Sequence, residues 1–268
     1  MNASRVELAI GPLRQMRRSL VGWAIGLGAV VAVTVAFWPA FRGSSGISEA
    51  IDQLPAGVIQ AFGLAGFGTP AGFLRGNLYE LIVPLLMAVA AVAAANGLTA
   101  AVEDAGRLET YLSQPVSRQS VFFGRTVAMA TWLSALTAAI LLVQLVSDAA
   151  LGLEIETLQV ISTVVLCGLL ALLFGTLALA VAGWLARPSV VLAIGIAVAV
   201  GGYLVAALLP LSGPLKAWSG LSPWTWALGG DPLVNPAEPW RYAVLLLPTV
   251  ALAALGAAGF VRRDVRAA

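Results

Sequence analysis

Leu81-Ile82-Val83-Pro84-Leu85-Leu86-Met87-Ala88-Val89-Ala90-Ala91-Val92-Ala93-Ala94-Ala95-Asn96-Gly97-Leu98-Thr99-Ala100-Ala101-Val102 runs for 22 residues without a charge. A lipid-exposed strand would alternate apolar and polar positions, whereas Ala88 to Ala95 is apolar on all sides. In a helix, about 20 residues cross roughly 30 Å of hydrocarbon, and the backbone hydrogen bonds are satisfied internally. The stretch therefore predicts a transmembrane helix. Five more charge-free stretches follow the same reading: Ser19 to Phe41, Thr126 to Ser147, Thr157 to Ala186, Pro188 to Leu215 and Tyr242 to Val261. The fourth and fifth of the six, in chain order, have slack for tilt or a bent end.

Composition agrees. Of 268 residues, 60% are hydrophobic and 10% charged, against about 25% charged in soluble domains. Mean hydropathy is +0.93. So much apolar surface must face lipid. The expected fold is an all-α membrane protein with six transmembrane helices in one transmembrane domain, residues 1–268. The absence of histidine and the single cysteine, Cys167, remove His-based triads, His-ligated metals and CxxC redox chemistry. No metal or cofactor is expected on this chain.

Orientation is read from the basic residues. With both termini inside, the inner segments hold eleven of them: Arg5, Arg14, Arg17, Arg18, Arg107, Arg118, Arg125, Arg187, Arg262, Arg263 and Arg266. The outer segments hold four, Arg42, Arg75, Lys216 and Arg241. The positive-inside rule then predicts N-in, C-in. The first span is followed by Trp38, Pro39 and Phe41 rather than a small-residue cleavage site, so it is expected to remain uncleaved.

Residues 1–18 carry an apolar stripe (Val6, Ile10, Leu13, Met16) and a basic face (Arg14, Arg17, Arg18). This is the pattern of an amphipathic interface helix with a bend at Gly11-Pro12, or else of the basic flank of the first span. The outer loop 42–80 is rich in Gly, Ser and Pro yet too apolar for a solvated linker, and short helices on the outer face are expected there. The second outer segment, 210–240, gathers six prolines with Trp218, Trp224, Trp226 and Trp240, and short broken helices at the headgroup level are expected. Trp218, Trp224 and Trp226 are candidates for an outer gate or an interfacial belt.

Between spans two and three, residues 103–118 form the most polar loop of the chain. Leu108, Tyr111 and Leu112 fall at i, i+3 and i+4, predicting a short helix after Gly106 that is stopped by Pro115, and Ser117 is placed to cap the next helix. A stubby helix with one apolar and one charged edge suits docking in a groove of another protein. The alternative is a solvated turn that only sets topology.

This loop resembles that of the ABC-2 type permeases, which commonly reads as an acidic residue, a Gly, a Leu-Glu pair, a Leu and then Pro-Val-Ser-Arg. Here those are Glu103, Gly106, Leu108-Glu109, Leu112 and Pro115-Val116-Ser117-Arg118. The layout is similar too: a basic N-terminal helix, six spans and a Pro/Trp-rich outer segment before the last. Tyr111 departs from an often aliphatic position. The resemblance implies a permease that pairs with a second copy or a paralogue and with separate nucleotide-binding ATPase subunits, which would hold ATP and Mg. It also implies that the loop is a coupling helix, with Glu103, Arg107 and Glu109 as rim charges and Leu108, Tyr111, Leu112 and Val116 as the docked edge. The chain has no GxxxxGKS/T phosphate loop of its own. A bacterial cytoplasmic membrane is the expected location.

None of the six stretches contains Asp, Glu, Lys or Arg, which counts against an ion-coupled carrier or a channel. Asn96 and Gln144 are the candidate polar residues of a cargo cavity, with helix-joining amides as the alternative. Uncharged spans favour a hydrophobic or amphipathic cargo such as a lipid, drug or antibiotic. The competing classes are a membrane-embedded enzyme or assembly factor, for which no general base is at hand within the spans, and a secondary transporter.

Overall fold

The computed structural model describes residues 3–42, 50–51, 53–55, 58–59, 66–106 and 117–263, with side chains from residue 11 onward. Among the described residues there is no β-strand, and six helical segments are long and apolar enough to cross a membrane. The helices are α1 (Ala3–Phe41), α2 (Pro70–Leu74), α3 (Ile82–Leu98), α4 (Ala100–Asp104), α5 (Arg118–Leu151), α6 (Thr157–Leu185), α7 (Pro188–Leu208), α8 (Pro223–Leu228) and α9 (Trp240–Arg262).

Each expected stretch lies largely on a long helix, with ends displaced. α1 has 39 residues, about 58 Å at 1.5 Å per residue, well beyond the hydrocarbon thickness. The segment expected as an interface helix of its own is thus continuous with the first span, through Gly11 and Pro12. The second span starts earlier than Leu81: α2, capped by Thr69 (Gly72 N donates to Oγ1, 3.1 Å), leads into a π-helical turn, Arg75–Tyr79, and then α3. Pro84 is in the first turn of α3, where a missing N–H breaks no helical bond. The fifth span is α-helical only to Leu208 and continues in 3-10 form at Leu209–Leu211 and Gly213–Leu221. Ser117 caps α5, accepting from Ser120 N at 3.1 Å. α5 ends at Gly152, whose left-handed backbone (φ 62°) suits glycine. Most of residues 42–65, where short outer helices are expected, lie outside the described residues.

α6 is the central helix. It packs against α3, α5, α7 and α9, and 72% of its apolar window is buried, against 22% for α1 and for α7. Lipid tails are as apolar as side chains, so association relies on close packing and small residues. α6 crosses α9 through Gly183 and Gly256: a Cβ on Gly256 would stand 2.8 Å from the Ala180 backbone and collide with Phe122. Ala88, Ala90, Ala91, Ala94 and Ala95 do the same for α3. α1 packs mainly along α5, where Trp132 Nε1 donates to Met16 O at 3.4 Å.

Candidate functional site

Polar side chains gather at the two ends of the bundle. At the loop end, α4 carries Glu103, whose side chain is 5% exposed. Arg263, just past α9, donates from Nη1 to Oε1 and from Nη2 to Oε2, each at 2.7 Å. This parallel, two-bond geometry is the strong form of an Arg–carboxylate pair. Arg118, the first residue of α5, donates from Nη1 to the carbonyl of Arg263 at 2.7 Å. The Arg263 guanidinium also lies over Phe260 at 6.0 Å, and Phe260 contacts Phe122 of α5, ring centroids 5.8 Å apart. Both stems of the loop 103–118 therefore converge on one residue after the last span.

Gly106 closes the first stem with its N–H on Glu103 O at 2.9 Å and φ of +67°. Of the loop residues singled out in the sequence, Glu103, Gly106 and Arg118 are described. Arg107, Leu108, Glu109, Tyr111, Leu112, Pro115 and Val116 lie outside the described residues.

At the opposite end, the π-helical turn widens the helix and directs Arg75, Tyr79 and Glu80 inward. Arg75 Nη1 donates to Asp231 Oδ2 at 2.6 Å, with Glu80 Oε2 3.9 Å from Arg75 Nε. Tyr79 donates to Gln144 Oε1 at 2.8 Å, and Gln144 Nε2 donates to Asp148 Oδ1 at 2.7 Å. Arg241 pairs with Glu238 at 2.9 Å, donates to the carbonyls of Thr225 and Trp226, and lies over the Trp240 ring at 4.7 Å. Burial pushes the Asp231 carboxyl above its ordinary value, against the lowering pull of Arg75 and then Arg241. Asp231 holds a tight turn with φ of 51°, a left-handed conformation that Asp tolerates better than most residues.

The segment before α9 folds back on α7. Ser222 caps α8 and donates to Gly202 O at 2.6 Å. The expected trio of tryptophans divides. Trp224 is 2% exposed, donates to Ala199 O at 3.0 Å and contacts Tyr203, so it is a core residue and not part of an interfacial belt. Trp218 is 59% exposed. Trp226 is intermediate, with Nε1 on Gly220 O at 2.7 Å.

Gln144 is fully buried, and its amide is engaged at both ends. It joins α5 to the π-helical turn, the arrangement of the helix-joining alternative. Asn96 is buried in α3 with Oδ1 unbonded among the described residues. Neither lines the three cavities that follow. One, about 260 Å³, lies at the loop end between α1, α3 and α5. A second, about 180 Å³, lies over Arg75, Glu80, Tyr203, Trp224 and Asp231. A third, about 290 Å³, is an apolar groove between α5 and α6 that includes Ser134, Thr137 and Gly168. Among the described residues no three His, Cys, Asp or Glu side chains gather as metal ligands.

Sequence reading missed Arg263, Asp231 and Tyr79. Their partners are distant in the chain, and the charges were used only to set topology. The usable signal was the position of single charges just outside apolar runs, since a charge at that depth needs a partner if it is buried.

Six apolar helices with charges gathered towards their ends define a multi-pass membrane protein. The chain belongs to the family of the multidrug efflux system permease Rv1217c, whose C-terminal domain model matches residues 10–261. No curated protein matches the chain.

Proposed function

We propose that this chain is the membrane-spanning subunit of an ABC-2 type exporter in the bacterial cytoplasmic membrane, oriented N-in and C-in. It moves a hydrophobic or amphipathic cargo outward, driven by ATP hydrolysis with Mg in a separate nucleotide-binding subunit, and it works with a second copy or a paralogue. The observation that carries this reading is the efflux-permease family match across residues 10–261. The clamp of Glu103, Arg118 and Arg263 supports the coupling step. An ATPase subunit pressing on residues 103–118 would move α4 and α5 together with the end of α9, because both stems are tied to Arg263. Such rigid-body motion can switch access to a central path.

The test is a pull-down of the tagged chain in mild detergent, with mass spectrometry and an ATPase assay on the eluate. A Walker-motif ATPase is expected to co-purify and to be lost with Leu108→Asp. Recovery of the chain alone, without ATPase activity, would overturn the proposal in favour of an enzyme, an assembly factor or a carrier.

A further inference from the structure

The cavity at the loop end combines features that the transport reading does not use. It opens between the N-terminal part of α1 and the last turns of α3 and measures about 260 Å³. Gln15 and Ser19 are exposed at its edge, and Arg125 of α5 lines it while only 4% exposed. The rest of the wall is apolar or small, with Met16, Ala94, Gly97 and Leu98. Arg14, Arg17 and Arg18, on the same stretch of α1, are exposed. Glu103, which follows the wall residue Val102, has both carboxylate oxygens held by Arg263. Among the lining residues the formal charge is that of Arg125.

Depth fixes the setting. Residues 12–19 lead into the first apolar stretch and residues 97–102 finish the second, so the cavity is at the headgroup level of one membrane surface. A volume of about 260 Å³ is at or below the lower edge of small-molecule sites, roughly 300–1,000 Å³. It suits a headgroup and the first carbons of a chain, and not a whole lipid. Arg125 also interacts within the chain, but a guanidinium has five N–H donors and can serve a second, anionic partner.

We infer that this cavity is a binding site for the anionic headgroup of a membrane phospholipid. The phosphate is held by Arg125 with Gln15 and Ser19, and the glycerol and first methylenes rest on Met16, Ala94 and Leu98. The site is distinct from the coupling loop and does not depend on the proposed transport activity. A bound lipid would brace α1 against α3 and α5.

The test uses the full chain in phosphatidylcholine nanodiscs doped with a photoreactive phosphatidylglycerol, with adducts mapped on peptides. Adducts are expected in residues 12–19 and 93–102. Unlabelled phosphatidylglycerol should compete, while added phosphatidylcholine and inorganic phosphate should not. Arg125→Gln is expected to lower labelling roughly ten- to hundredfold, the range for losing a hydrogen bond to a charged group. Gly97→Leu provides a variant that leaves the charge in place: a Cβ on Gly97 meets nothing within 4 Å, so the side chain fills the cavity without displacing backbone. Its labelling should fall to a similar extent while size-exclusion behaviour is retained, and it decides the matter if Arg125→Gln does not fold. Undiminished labelling in Gly97→Leu, or equal labelling by a phosphatidylcholine analogue, would overturn the inference. Displacement by inorganic phosphate alone would make the cavity a free-anion site and overturn the lipid assignment.

Discussion

Glu103→Ala tests whether the loop stems are held by the last span. The substitution removes the carboxylate that accepts two bonds of 2.7 Å from Arg263 and leaves that guanidinium, 17% exposed, without its counter-charge. Breaking one side of a buried pair costs about 3–5 kcal/mol, and the partial exposure of Arg263 argues for the low end, about 3 kcal/mol. For a chain of this size that is a fall of roughly 6–12 °C in Tm. Arg263→Ala should cost a similar amount, although its backbone carbonyl remains to accept from Arg118. The assay is a double-mutant cycle by thermal unfolding of the purified chain in one detergent. Once one partner is gone, the second substitution has little left to remove, so the double variant should lose far less than the sum of the singles. The exchanged pair, Glu103→Arg with Arg263→Glu, should recover part of the loss. Additive losses in the double variant, with no recovery on exchange, would refute the claim that this pair ties the loop to α9.

Three other outcomes follow from the same geometry. Gly256→Val puts a side chain into the Ala180 backbone and Phe122 and should cost at least about 1–3 kcal/mol. Gly22→Val, where a Cβ meets nothing within 4 Å, should leave the Tm of the detergent-solubilised monomer unchanged, and equal losses would contradict the packing assigned to α6 and α9. Trp224→Ala should cost about 3–5 kcal/mol, and Trp224→Phe about 1 kcal/mol for the lost bond to Ala199. Trp218→Ala should stay within about 0.5 kcal/mol, and unfolding scans that failed to rank the three in this order would undo the division of the tryptophans. Asp231 has a raised pKa in the folded chain, so its contribution to stability is present below the ordinary Asp range and is lost as pH rises through the raised value. Thermal scans across that acidic window should show wild type losing stability with rising pH relative to Asp231→Asn, whereas parallel profiles would contradict the burial assigned to this carboxyl.

The spans were legible because the signal is local and large: some twenty consecutive residues without a charge leave a helix in lipid as the available solution. Ser117 was legible as a cap for the same reason, since its partner is three residues away. Helix ends were not. Leu81 looked like the start of span two because Glu80 and Arg75 are charged, yet the helical segment continues through both, and the burial of Arg75 is made possible by Asp231, 156 residues away. Glu103 and Arg263 are 160 apart. A pairing at that separation leaves no trace in a local window. The division of the tryptophans was illegible for a related reason. Indole at a membrane interface and indole in a core differ only in what surrounds the ring, and Trp224 is in the core because Gly202 lets it approach α7.

These long-range pairs also account for the exceptions in the charge distribution. In the proposed orientation four basic residues stand on the outer side, against the general bias. Two of them are Arg75, joined to Asp231 at 2.6 Å, and Arg241, joined to Glu238 at 2.9 Å. Both are buried, at 9% and 7% exposure, and so are not the free surface charges to which a topological bias applies. The inner side has the converse: Arg263 adds to the inner excess in the tally but is neutralised by Glu103 in the folded chain. Arg14, Arg17 and Arg18 are exposed on α1 and remain available to an anionic surface. Of the inner arginines that are described and exposed, Arg14, Arg17 and Arg18 stand on the stretch of α1 that borders the cavity lined by Arg125, while Arg187 and Arg262 stand elsewhere, so part of the charge that argues for the orientation also favours an anionic occupant of that cavity.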